Sequence, residues 1–291
     1  MTTSSPASRF GRVGFWRGGT LLSPEIARTA ERLGYGAIWI GGSPSGDLAI
    51  AETILDATES ITVATGIVNI WKDAAAEVAA SFHRLERTHP GRFMLGIGIG
   101  HREALGDTYQ RPFDALVAYL DQLDAHGVPV DRRLISALGP RTLALAAERA
   151  AGTHPYLTTL AHTRFARDLV GPDTLIAPEQ RLVPVTDVDS ARATARRFLS
   201  RYMGLRNYRR MLEQHGFTAS DLDHGVSDAA VDALAPHGTP TELAAAVRGH
   251  LDAGADHVCV QFLPAAADPV DALTVLAQEL HLDSGSTGTT A

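Results

Sequence analysis

Short apolar runs alternate with longer, helix-periodic segments along almost the whole chain. Eight runs stand out: "RVGFW" at Val13, "GAIWI" at Ile38, "ITVATGIV" at Val63, "RFMLGIG" at Leu95, "RLISAL" at Ile135, "HPYLTT" at Leu157, "RLVPVT" at Val183 and "HVCVQF" at Val260. A segment able to form a helix follows each of them, which is the rhythm of βα units and not of a sandwich. Helix boundaries are explicit in two places. Ser23-Pro24-Glu25 supplies an N-cap and a proline at the first helical position, with Gly34 as terminator, and Thr239-Pro240 repeats the device with an end at Gly254.

Eight strand–helix units without an interior linker predict an α/β fold, a (β/α)8 TIM barrel, in preference to an open doubly wound sheet. The segment from Asp187 to Leu234 is too long for one crossover helix and predicts a helical insertion between strands 7 and 8. The expected organisation is one barrel domain over residues 11–282, with small polar tails at 1–10 and 283–291 expected to be disordered.

Composition narrows the class. The chain has 291 residues and 45% hydrophobic content, which suits one barrel of about 250 residues. A formal net charge of −7 argues against a nucleic-acid-binding surface, and the one cysteine, Cys259, leaves no intramolecular disulfide and no cysteine-rich zinc cluster. The histidines lack any H-E-x-x-H spacing, so no metal is expected. No apolar run reaches the roughly 18 residues of a membrane span, and the start lacks the apolar core of a secretory signal. A cytoplasmic protein with no membrane partner is therefore expected.

In such a barrel the chemistry belongs at the carboxyl ends of the strands. The fourth run ends in Gly98-Ile99-Gly100-His101, whose glycines miss the Rossmann spacing because His101 or Glu103 stands where the third glycine is needed. They read either as backbone open to a ligand or as a tight corner, and His101 either as a proton-transfer group or as a solvated loop residue. Gly66-Ile67 interrupts the β-branched third run and predicts a bulge. Gly139-Pro140 opens a helix, which is either a phosphate-holding N-terminus or a plain helix start. Trp16 and Trp71 read as pocket walls or as covers of the barrel mouth, Asn69 as a partner for a ring carbonyl or for local backbone, and Trp39 as core. Arg12, Arg17, Lys72 and Arg102 flank the rim as candidates for an anionic tail.

Five motifs, "ERLGYGAIWIG", "VATGIVNIW", "RFMLGIGIGH", "LGPRTLALAAERAAGTHPYLTT" and "AGADHVCVQ", together resemble the luciferase-like flavin monooxygenase superfamily and, more closely, its coenzyme F420-dependent oxidoreductase branch of actinobacteria. The resemblance implies an oxidoreductase that moves a hydride between the deazaflavin F420 and a small organic substrate. An FMN-dependent monooxygenase and a non-catalytic, cofactor-binding barrel are the alternatives. It further implies a ring resting on a bulge at Gly66 and Ile67 that contains a cis peptide, with Asn69 nearby. The phosphate arm would lie over Gly98, Ile99, Gly100 and His101 and over Ala137, Leu138, Gly139 and Pro140. Trp16, Gly42, Ser43 and Trp71 would line the substrate pocket, and a homodimer is the assembly it allows.

One departure matters. Many relatives carry an Asp-His pair after the second strand, where this chain reads Gly41-Gly42-Ser43. His101 becomes the leading proton-transfer residue and His154 the second. His83, His89, His126, His162, His215, His224, His237, His250 and His281 are expected on solvated faces or in turns, and His257 at the strand end away from the mouth.

Overall fold

The computed structural model describes residues 9–106, 111–223 and 225–282. The remainder of the expected tails, 1–8 and 283–291, and His224 lie outside these residues. Among the described residues ten strands form one parallel sheet: β1 (Val13–Gly18), β2 (Ala37–Gly41), β3 (Thr62–Gly66), β4 (Val68–Asn69), β5 (Phe93–Gly98), β6 (Arg133–Ile135), β7 (Gly152–Thr153), β8 (Leu175–Ile176), β9 (Glu179–Leu182) and β10 (Val258–Phe262). Their order is β8-β7-β6-β5-β3-β2-β1-β10-β9, with β4 also paired to β5. The sheet curls until its two ends, β8 and β9, are separated only by Ala177-Pro178. The architecture is TIM-barrel-like.

Helices cover the outer face of the sheet, and their apolar sides interlock with it in the largest core, which includes Ile38, Ile40, Ile54, Phe82, Leu120 and Leu276. The punctuation reads as the sequence predicts. Ser23 caps the helix Pro24–Arg32, and Thr239 and Glu242 form a reciprocal capping box on the helix Pro240–Asp252. Gly34 and Gly254 both take positive φ where those helices give way to strands.

Two strands lie elsewhere than predicted. "HPYLTT" is the loop leaving β7, and "RLVPVT" begins only as β9 ends. Small residues hide β7: a Cβ on Gly152 would fall 2.0 Å from the Leu175 carbonyl oxygen, so only glycine permits this approach and no apolar run marks the strand. Polarity hides β9, whose Glu179, Gln180 and Arg181 are all buried.

Inside the sheet, flat rings fill the axis. Phe10, assigned to the tail from sequence, is fully buried and stacks on Trp39 at 5.3 Å between centroids, and Trp39 stacks in turn on His154 at 4.2 Å. His257 donates from Nδ1 to the Gly11 carbonyl (2.8 Å) and accepts from Trp39 Nε1 (3.0 Å). His162 and His250 also depart from expectation. Both are fully buried because their helices, Leu160–Val170 and Pro240–Asp252, pack against each other. His250 donates to Gln180 Oε1 (2.6 Å) and accepts from Thr163 (2.8 Å), while His162 Nε2 donates to the Leu138 carbonyl (2.9 Å).

Between β9 and β10 the chain passes through the helices Val188–Leu199, Arg206–Gln214, Ala219–Leu222, Asp228–Leu234 and Pro240–Asp252. The first four share a separate core around Leu199, Met211, Leu212, Leu222 and Val231, joined to the sheet through Leu157 and Leu263.

Candidate active site

The carboxyl ends of the strands open into a cavity of about 540 Å3. At its floor the peptide Gly66-Ile67 is cis and separates β3 from β4. A Cβ on Gly66 would stand 2.9 Å from Trp16 Nε1 and 3.0 Å from His154 Nε2, so only glycine fits between these two rings. His154 donates from Nδ1 to the Ala177 carbonyl (2.8 Å), which fixes the tautomer and leaves Nε2 as a bare acceptor. Burial pushes this imidazole down to about 4, against the opposing effect of that hydrogen bond. Both Nε2 of His154 and Nε1 of Trp16 are buried without a hydrogen-bond partner among the described residues.

One wall is backbone. Gly98, Ile99, Gly100, Ser136, Ala137, Leu138 and Gly139 line it, with Gly100 at positive φ and Gly139 as the uncapped start of the helix Pro140–Arg149. His101 stands at the end of this wall, half-buried, with Nδ1 3.2 Å from Asn207 Oδ1 and its ring 5.2 Å from that of Tyr208. Burial lowers its pKa from the usual 6.5, opposed by Asn207 and by the nearby Glu103. Beyond His101 a second cavity of about 510 Å3 continues past Pro140 and is bordered by Arg102, Arg141, Arg206 and Arg210. The Glu103 carboxylate lines this cavity as well, feels the Arg102 charge and accepts from the Arg206 amide (3.1 Å), and Arg141 stacks on Phe113 at 4.1 Å.

The opposite wall is aromatic. Tyr156, Tyr202 and Tyr208 line it, and the Tyr156 hydroxyl bonds Gln261 Oε1 (3.1 Å) and the Tyr202 hydroxyl (3.2 Å). Arg181, 1% exposed, supports it from behind, 4.4 Å from the Tyr156 ring and 2.9 Å from fully buried Glu179. Burial, opposed by the Arg181 charge, pushes the Glu179 carboxyl up to about 7.

The structure brings together most residues singled out from sequence. Trp16, Gly42, Ser43, Gly66, Ile67, Asn69, Gly98, Ile99, Gly100, His101, Ala137, Leu138, Gly139 and His154 all line the first cavity, and Pro140 lines the second. Trp71 lines neither: its Nε1 donates to the Ile99 carbonyl (2.8 Å), bracing the end of β5. Asn69 Oδ1 accepts from the Trp71 amide (3.0 Å), so part of its capacity goes to local backbone. Among the rim cations, Lys72 faces the first cavity and Arg102 the second. Arg17 is turned to the Leu21 and Ala267 carbonyls, and Arg12 precedes β1 at the opposite end of the sheet. Tyr202, Asn207 and Tyr208 went unread. Their one sequence signal is aromatic and amide side chains set among the arginines of "SRYMGLRNYRR".

A parallel, curled sheet with its cavity at the carboxyl ends and a bulge in its floor defines the class, a TIM-barrel-like fold, and the comparisons agree with that fold. Residues 23–123 match the family model described as luciferase-like monooxygenase. An F420-dependent secondary alcohol dehydrogenase, solved with an F420–acetone adduct, superposes with a TM-score of 0.74 at 15% identity, over 93% of this chain and 98% of the other. The coenzyme F420-dependent tetrahydromethanopterin reductase of Methanopyrus kandleri gives 0.68 at 16%, over 93% and 99%. The FMN-bound oxygenating constituent of 3,6-diketocamphane monooxygenase from Pseudomonas putida gives 0.66 at 14%, over 94% and 96%. At these identities the likeness is one of fold. No curated protein matches the chain in sequence.

Proposed function

We propose that this chain is a coenzyme F420-dependent oxidoreductase acting on a small organic molecule, on a (β/α)8 barrel whose third and seventh strands are interrupted and whose helices from 188 to 234 form an insertion. The observation that carries the cofactor assignment is the second cavity. The first alone suits the ring and phosphate of either F420 or FMN. Only F420 continues past its phosphate into a polyanionic tail, and the space past His101 and Pro140 is bordered by four arginines against one carboxylate, Glu103, in a chain of net charge −7.

The residues fit such a group. The cis bulge at Gly66-Ile67 would support the ring, the open backbone of Gly98–Gly100 and Ala137–Gly139 would receive the arm, and the start of the helix at Pro140 offers amide donors to a phosphate. When bound, F420 supplies two-electron hydride chemistry. The protein supplies orientation, the aromatic wall that excludes water, and a proton-transfer group at the wall's edge. His101 Nε2 is free for that role while Nδ1 is engaged by Asn207.

Titration of the purified chain with F420 and with FMN, followed by absorbance and fluorescence, tests the reading. F420 is expected to bind at least tenfold more tightly, and Arg206→Ala or Arg210→Ala to weaken F420 about tenfold while leaving FMN unchanged. Equal or tighter binding of FMN would overturn the cofactor assignment.

A further inference from the structure

On the aromatic wall of the first cavity, three side chains form a ladder of hydrogen bonds that the proposed function does not use. The Tyr202 hydroxyl lies 3.2 Å from that of Tyr156, and the Tyr156 hydroxyl lies 3.1 Å from Gln261 Oε1. Tyr156 and Tyr202 line the cavity and keep part of their surface open, whereas Gln261 is buried in β10 and does not border it. The Tyr202 ring is held from two further sides, by Tyr208 edge-on at 5.5 Å and by Phe198 at 5.3 Å. The ladder thus runs from the barrel to a tyrosine fixed at the cavity.

Its direction follows from the buried end. Gln261 stands directly opposite Arg181 in the β9–β10 pairing, so the two side chains leave the same face of the sheet. Arg181 carries only donors, and its buried cation favours the carbonyl end of a neighbouring amide over the NH2 end. An amide oxygen has no proton, so Tyr156 donates to Gln261. With that proton committed, the Tyr156 oxygen accepts from Tyr202. Tyr202 has then spent its one proton on the wall, and its oxygen presents lone pairs alone to the cavity. We propose that Tyr202 determines which substrate the cavity holds, by accepting a hydrogen bond from a hydroxyl group of a small, neutral molecule.

Elimination supports the hydroxyl. A ketone or an ether in the same place sets one acceptor against another, and a site built around a hydrogen bond discriminates strongly on that account. An ammonium can donate, but none of the described residues that line the cavity carries a carboxylate to replace the water its charge would lose. The inference rests on the oxidoreductase reading only in calling the guest a substrate, placed between the tyrosine wall and a cofactor ring on the bulge at Gly66-Ile67. The ladder itself stands on its geometry.

The test is carbon-13 NMR on the full-length chain carrying tyrosine labelled at Cζ, without cofactor and with F420, titrated with cyclohexanol and with cyclohexanone. The Tyr202 resonance is identified by its loss in Tyr202→Phe. Cyclohexanol is expected to shift it saturably and to bind about tenfold more tightly than cyclohexanone, the worth of one buried hydrogen bond. Tyr202→Phe should weaken cyclohexanol by about that factor and leave cyclohexanone within about twofold. Tyr156→Phe and Gln261→Leu should each abolish the preference, since either frees the Tyr202 proton to meet a ketone, although Gln261 does not border the cavity. The inference is overturned if cyclohexanol leaves Tyr202 unmoved, or if cyclohexanone binds the unaltered chain as tightly. Equal weakening of both probes in Tyr156→Phe, with the preference intact, would reduce the ladder to a structural prop and overturn it as well. So would F420 that shifts Tyr202 by itself and excludes cyclohexanol, because the ladder would then serve the cofactor. Failure of the chain to bind F420 would sink the proposed function and leave the cofactor-free comparison to decide the ladder.

Discussion

His101 is held between two neighbours that act on its charge in one direction and a burial that acts in the other. Burial lowers its pKa, while the Asn207 amide oxygen and the Glu103 carboxylate raise it. If it exchanges the catalytic proton, the limb it imposes on a profile of kcat/KM against pH falls below 6.5. Removing the acceptor in Asn207→Ala should move that limb lower still, and Asn207→Asp should move it higher, because a carboxylate favours the imidazolium more than an amide does. A His101→Ala variant is expected to lose roughly 10²- to 10⁴-fold in turnover with cofactor affinity held within about threefold. Collapse of cofactor affinity in the same variant would make His101 a ligand of the arm.

The helix Arg206–Gln214 is where packing and site meet. One side carries Met211 and Leu212 into the separate helical core, and its first turn carries Asn207 and Tyr208 to the cavity. Leu212 is fully buried, so Leu212→Ala should cost about 2–5 kcal/mol in denaturant unfolding. It should also weaken cofactor binding, although Leu212 borders neither cavity; unchanged affinity would show that the helix is not what positions Asn207. None of this coupling was legible in the chain, because the pattern of "SRYMGLRNYRR" announces an amphipathic helix and not the direction its polar side faces. The strands bearing long apolar runs, β1, β2, β3, β5, β6 and β10, were legible, together with the glycine-marked bulge at Gly66 and the open end at Gly98–Gly100. β7 and β9 were not. Small residues packed backbone to backbone in one, and buried charges in the other, carry no hydrophobic signature. The same blindness misplaced His162 and His250, whose burial depends on how two distant helices pair.

At the scale of the whole fold, four histidines among the described residues, His154, His162, His250 and His257, are buried and pushed down to about 4. Unfolding frees each to take up a proton near 6.5, so between pH 6.5 and 4 the unfolded chain binds more protons and stability falls with pH, by about 1.4 kcal/mol per unit for each histidine. Glu179, pushed up to about 7, binds its proton more tightly in the folded state and works in the opposite sense over most of that range, offsetting about one of the four. Thermal melts from pH 7 to 4 should show a steep descent that becomes shallower in His250→Gln; a flat profile would contradict the burial of these rings. One of the four also closes the stack Phe10–Trp39–His154, which runs from the bottom of the sheet to the cavity floor. The stack makes Trp39 an optical gauge. With Trp16 and Trp71 replaced by phenylalanine, the remaining indole emission would report events at His154, one ring away, while touching no ligand itself. Whatever enters the mouth would be read from inside the wall.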